Sequence, residues 1–258
     1  MDPVSALKKG RRAVITGFEV ELVDLQFQPP SPRQPAFKPL PIPLSGVGLA
    51  MIPGLAFELV GIGRRSTPMP EIEQKALTSQ LYDAFEADLR GRGIVVVPRD
   101  LAIASRGNAQ GPENKVKASS PLMLLNPLGS DTGQVLHSRT IAEPGLAGGD
   151  SRAGRSEADA AIMKQTGADL ALDVHLRVGT YRKKAALEHR SEIRLTTAEG
   201  RTTLKALHSI LSDADVTGDT HFVPVVGRVV PVNPEVFTSE LKAILPKFVS
   251  LALAGETK

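Results

Sequence analysis

"SEADAAIMKQTGADLALDVHLRVGTYRKK" (Ser156–Lys184) changes its hydrophobic period halfway along, and that change sets the fold class. Ser156 is a good helix cap, the next ten residues suit a helix to about Thr166, and Gly167 stops it. From Leu170 to Val178 the period becomes two. Leu172, Val174, Leu176 and Val178 point one way, and Asp173, His175 and Arg177 point the other. A helix followed by a half-buried strand is the unit of an α/β layer.

The same alternation extends downstream. "GTYRKKAA" (Gly179–Ala186) reads as a hairpin tip and Leu187–Leu195 as the return strand, whose Glu188, Arg190, Glu192 and Arg194 can pair with the charges opposite. "TAEGRT" makes the next turn, and Thr202–Leu211 is expected as a third strand. Upstream, Ala13–Val23 reads as a strand, with Phe18, Val20 and Leu22 alternating with Glu19 and Glu21. Pro70–Gly93 reads as a helix with Ile72, Leu77, Leu81, Phe85 and Leu89 on one face, followed by a buried strand at Ile94–Pro98. At the far end Asn233 caps and Pro234 opens a helix with a stripe of Phe237, Leu241, Ile244, Leu245 and Phe248. Pro246 is expected to kink it. The whole chain, 1–258, is therefore expected to form a single α/β (α+β-like) domain. Its small mixed sheet contains a three-stranded antiparallel meander and is covered by about three helices, including a C-terminal one at 234–253.

Two segments interrupt this pattern. Residues 28–69 begin with a proline-rich connector, Gln28–Pro43, and continue into "SGVGLAMIPGLAFELVGIG" (Ser45–Gly63), which carries only one charge, Glu58. Five glycines, Pro53 and Glu58 argue against a spanning helix, and Pro53-Gly54 favours a turn between two apolar arms. The arms are either cover for the sheet, a partner or self-association surface, or a membrane contact. Val47, Leu49, Met51, Ile52, Leu55, Phe57 and Leu59 are the candidate partner-binding residues. Residues 105–155 read as a long loop rich in small and polar residues, with an apolar interruption at "PLMLLNPLG" (Pro121–Gly129).

Chemistry is sparse. Lys and Arg number 31 against 28 Asp and Glu, with two Tyr, eight Phe and no Trp, so neither charge nor stacking surface points to nucleic acid. The absence of cysteine removes disulfides, thiolate catalysis, zinc–thiolate sites and lipidation of this chain as written. The first residues lack the apolar core of a signal peptide, which suits a cytosolic start or a mature chain equally. Common nucleophile-elbow, zincin and phosphate-loop patterns do not occur. Asp173 and His175 share a strand face, where cross-strand ion pairing is the better explanation than an acid–base or metal site. His189 is placed on the apolar face beside Leu187 and Ile193. Arg182, Lys183 and Lys184 form a basic tip suited to solvent, to an acidic partner or to anionic headgroups. No catalytic residue, metal or cofactor is expected.

The order from Gly167-Ala168-Asp169 through the long strand, the charged hairpin and "TTAEGRT" (Thr196–Thr202) resembles the family containing the curli secretion protein, the lipoprotein activators of penicillin-binding proteins and the amino-terminal domain of TolB. "AVITGFEV" as opening strand and the helix–strand unit ending in "VVVPRD" extend the likeness to roughly half the chain. The resemblance implies a periplasmic α/β domain that is non-enzymatic and binds partners or assembles into rings. The expectation is an accessory or assembly protein contacting a protein partner or itself, with lipid or outer-membrane contact as a further option. The alternative is a carrier for an apolar small molecule or lipid, walled by Val47–Val60 and Pro121–Leu128.

Overall fold

The computed structural model describes residues 10–23, 26–27, 67–106, 117–118, 122–123, 135–136, 138–146, 152–181, 183–216 and 232–254. Within them, nine strands form one mixed sheet: β1 Arg12–Val23, β2 Val95–Val96, β3 Lys117–Ala118, β4 Ser138–Ala142, β5 Leu170–Tyr181, β6 Lys184–Leu187, β7 Glu192–Thr197, β8 Gly200–Lys205 and β9 Ile210–Asp215. The helices are α1 Glu71–Gly91, α2 Arg99–Ala104, α3 Arg152–Thr166 and α4 Pro234–Leu253.

The parallel pair β1 and β5 is the spine, in register from Ala13↔Leu170 to Leu22↔Val178 with one irregularity between Ile15 and Gly17. β2 runs parallel to the start of β1, and β4 antiparallel to its end. Gly167 adopts φ +63° and ends α3, with Ala168 N–H returning to the Met163 carbonyl. Asp169 then fastens strand to strand: its N–H donates to the Arg12 carbonyl, and its carboxylate accepts the Arg12 N–H at 2.8 Å.

The antiparallel meander is present, but its two outer strands are each broken. Leu187 faces Val178 while Glu192 faces His175, so five steps on the return strand match three on β5. The outermost strand bows with it, Leu187 facing Ile210 and Glu192 facing Lys205. The break falls where apolar alternation stops, at Glu188-His189-Arg190, and its backbone is satisfied locally. Glu188 N–H donates to the Arg177 carbonyl, Arg177 N–H to Ser191 Oγ, and His189 N–H to Ser209 Oγ. His189 is therefore exposed in the break and not on the apolar face.

One sheet face carries the main core. Phe18, Val20, Leu22, Leu172, Val174, Leu176, Ile193, Leu195 and Leu204 meet Leu77, Leu81, Phe85 and Leu89 of α1 and Phe237, Leu241, Ile244, Leu245 and Phe248 of α4. Each fully buried Phe or Leu contributes about 2–3 kcal/mol. On the other face a smaller cluster of Val14, Val97, Ala102, Ile162, Met163 and Ala171 sits where α2 and α3 pack against the sheet.

Several boundaries differ from the sequence reading. Ile72 is 75% exposed: five residues before Leu77 is about 140° around the helix, off the buried stripe. Ile94–Pro98 contributes only Val95–Val96 as strand, and α2 starts directly after Pro98. The segment read as a loop, 105–155, contains β3, β4 and a small ladder of Leu122–Met123 with Val135–Leu136. α3 begins at Arg152, so Ser156 lies inside it and not at its cap. The expected strand Thr202–Leu211 is split between β8 and β9. α4 is continuous through Pro246, and Asn233 Oδ1 accepts the N–H groups of Glu235 and Val236.

Candidate functional site

Beyond α3 the second face of the sheet is a charge mosaic. The irregularity at Thr16 and Gly17 turns Glu19 and Glu21 of β1 onto this face, next to His175 and Arg177 of β5. Asp173 is buried beneath two guanidinium groups, with Arg194 at 3.3 Å and Arg201 at 3.2 Å. Arg194 also reaches Glu192, which Lys205 holds at 2.9 Å. Burial alone would raise Glu192, but Lys205 and Arg194 outweigh it and hold its carboxyl below the usual range. Arg177 joins Glu21 at 3.2 Å and Glu188.

His175 lies between two acids from β1, Glu19 at 3.7 Å and Glu21 at 3.3 Å. Burial pushes its proton off; the hydrogen bonds and charges of the two carboxylates override this and raise the imidazole to about 9. At neutral pH it is held as an imidazolium between the two carboxylates. Cross-strand ion pairing is thus the arrangement found, although the partners of His175 come from β1 and not from the return strand. Among the described residues no three His, Cys, Asp or Glu side chains group to hold a metal ion.

A second buried polar cluster had no signal in the sequence. β4 ends in the turn Glu143-Pro144-Gly145-Leu146, closed by Leu146 N–H to the Glu143 carbonyl, with Gly145 at φ +77° against the Ile103 side chain. The Glu143 side chain is 1% exposed; Ser79 Oγ donates to it at 2.9 Å and Arg99 pairs with it at 2.5 Å. Burial raises its carboxyl despite both partners. Arg99 also donates to the Pro144 carbonyl and sits 5.4 Å from the Tyr82 ring centre. Burial lifts Tyr82 to about 12, so it stays neutral. Nothing in "AEPGL" distinguishes this turn from a surface turn, because Ser79, Tyr82 and Arg99 reach it only through the packing of α1 and α2.

Two of the chain's excursions, 28–66 and 217–231, begin and end near the carboxyl end of β1 and β5. Gln26–Phe27, three residues past β1, pairs antiparallel with Thr67–Pro68, so 28–66 leaves and returns through one two-residue neck. Val23 pairs with Ser138, the first residue of β4. β1 and β5 being parallel, the β5–β6 tip lies at this same end. There Lys183 takes φ +69°, Tyr181 is half-exposed, and the Lys183 carbonyl accepts the N–H of Val216. Asn233 N–H donates to the Val216 carbonyl, so 217–231 is also closed at its base. Of the basic tip, Lys183 and Lys184 are placed here, and Lys183 lies 4.0 Å from Asp215. Arg182 falls outside the described residues, as do Val47, Leu49, Met51, Ile52, Leu55, Phe57 and Leu59.

Among the described residues no helix is long and apolar enough to cross a membrane. No family model, curated protein or solved structure matches the chain.

Proposed function

We propose that the protein is a non-enzymatic accessory or assembly protein, periplasmic by its resemblance, that binds a protein partner or a second copy of itself at the carboxyl end of β1 and β5. One observation carries this reading. The apolar, proline-containing segment 28–66 is closed at its base by the Gln26–Phe27/Thr67–Pro68 neck, at the end of the sheet where the basic tip and the base of 217–231 also lie. Long excursions mounted on a rigid sheet are the usual form of a contact surface. The described charge clusters support the same reading, since each acid and base in them is engaged by a neighbour.

Because Phe27 faces Thr67 directly, an Asn-Gly turn can replace 28–66 without disturbing the neck. Light scattering after size exclusion, over a hundredfold concentration range, is the test for the intact chain and this variant. Self-association of the intact chain together with a folded, monomeric variant supports the proposal. Two monomers, with the variant melting lower, make the segment cover for the core, and mass spectrometry for a bound apolar molecule becomes the next measurement.

A further inference from the structure

Across β1, β5, β7 and β8 one row of side chains alternates in sign: Glu19, His175, Glu192, Lys205. Opposite charges on neighbouring strands favour each pairing. The row ends on Lys205, whose side chain is 53% exposed, at the last strand of this side of the sheet. The row Ala171, Thr196, Arg201 also ends on a base. Arg201 and Lys205 thus stand four residues apart on one face of β8, with exposed Thr203 between them. No described strand pairs with the far edge of β8.

We propose that β8 accepts an extended acidic segment of another protein as an added strand, with one carboxylate opposite Lys205 continuing the alternation and a second opposite Arg201. Strand addition takes its affinity from main-chain hydrogen bonds and its selectivity from alternate side chains. A second copy of β8 does not suit the edge. Antiparallel pairing about Thr203 would set Lys205 against Arg201 of the copy, and like charges directly opposite repel. The inference stands apart from the contact proposed for residues 28–66, since it uses the outer edge of β8, level with the amino half of β5, and not the carboxyl end of β1 and β5. Its rival is that the bases merely guard the edge against strands.

The test uses the full chain and two fluorescently labelled, end-blocked seven-residue peptides of threonine and valine. One carries glutamate at its second and sixth positions, the other lysine. Anisotropy should show the glutamate peptide binding about tenfold more tightly, the sum of two favourable cross-strand pairs. Amide exchange should slow at 200–205 in its presence. Lys205→Glu, which leaves Arg201 as the one base on this face, should bring the two peptides to about equal affinity, and Thr203→Glu, at an exposed position, should weaken the glutamate peptide independently. Replacing 28–66 should leave peptide binding unchanged even where it abolishes self-association. Equal binding of both peptides, binding of neither, or protection elsewhere overturns the proposal in favour of a guarded edge.

Discussion

Asp173 Oδ1 lies 2.2 Å from where a Cβ on Gly17 would stand. The carboxylate occupies the side-chain space of its neighbour on the parallel strand, and from there it reaches both Arg194 and Arg201. The irregularity in the β1 register falls at the same place, and it directs Glu19 and Glu21 toward His175.

Gly17→Ala should therefore act through Asp173 and not through backbone strain. The added methyl displaces a buried carboxylate from two partners, at a cost of about 2–3 kcal/mol. Urea unfolding of the two single variants and the double variant Gly17→Ala/Asp173→Ala measures the coupling. The methyl should cost much less once Asp173 is already alanine. Additive losses would show that the two residues do not share this space.

His175 makes stability fall on the alkaline side. Its folded value, about 9, is above the ordinary 6.5, so the folded state holds the proton more tightly. The contribution is complete below pH 6.5 and disappears as pH rises through 9. Glu19 and Glu21 from β1 and Glu192 from β7 are the acids facing it. The loss amounts to up to about 3 kcal/mol, reduced by residual solvent exposure. Unfolding free energies at pH 6, 8 and 10 should show the decline in the parent chain and a much flatter profile in His175→Gln. An equal decline in both would assign the effect to other groups.

Arg99→Ala leaves the buried carboxylate of Glu143 without its counter-charge and should cost about 3 kcal/mol at pH 8. The folded value of Glu143 is already above its ordinary range, and losing Arg99 raises it further. A carboxyl with a raised folded value takes up a proton more readily in the folded state, so stability returns as pH falls. The loss at pH 5 should be clearly smaller than at pH 8, and Glu143→Gln should remove that difference. A loss independent of pH would mean that Arg99 acts through the Pro144 carbonyl and Tyr82 alone.

Lys183→Gly should stabilise the protein by about 0.5–1 kcal/mol, since a left-handed backbone costs an ordinary L-residue about 1–2 kcal/mol and the larger conformational entropy that glycine loses on folding offsets part of the gain. A melting temperature raised by a few degrees is the expected result. A lower one would show that the lysine side chain, near Asp215, contributes more than the turn geometry costs.

Local chemistry made much of the fold legible. Period two in Leu170–Val178, the stop at Gly167, the cap at Asn233 and the stripe from Phe237 to Phe248 are written in neighbouring residues, and each forms as read. The breaks at 188–191 and 206–209 were hidden because a ladder is interrupted jointly by two strands, and in the first of them Glu188, Arg190, Glu192 and Arg194 keep a period of two although His189 and Ser191 interrupt its apolar side. β4 was hidden for a similar reason. Its five residues gain their strand character from lying against the end of β1, not from their own pattern.

By itself, then, the sequence determined which face of β5 and of α4 is apolar, where α3 stops and α4 starts, and that a charged meander follows α3. These properties depend on side-chain size, hydropathy and backbone preference within a few residues. Only the tertiary structure decided which charges meet. His175 and Glu21 are 154 residues apart, and their pairing follows from the parallel alignment of β1 with β5. Such a register is chosen by the whole core packing beneath the sheet, and a one-residue slip would move every side chain to the other face.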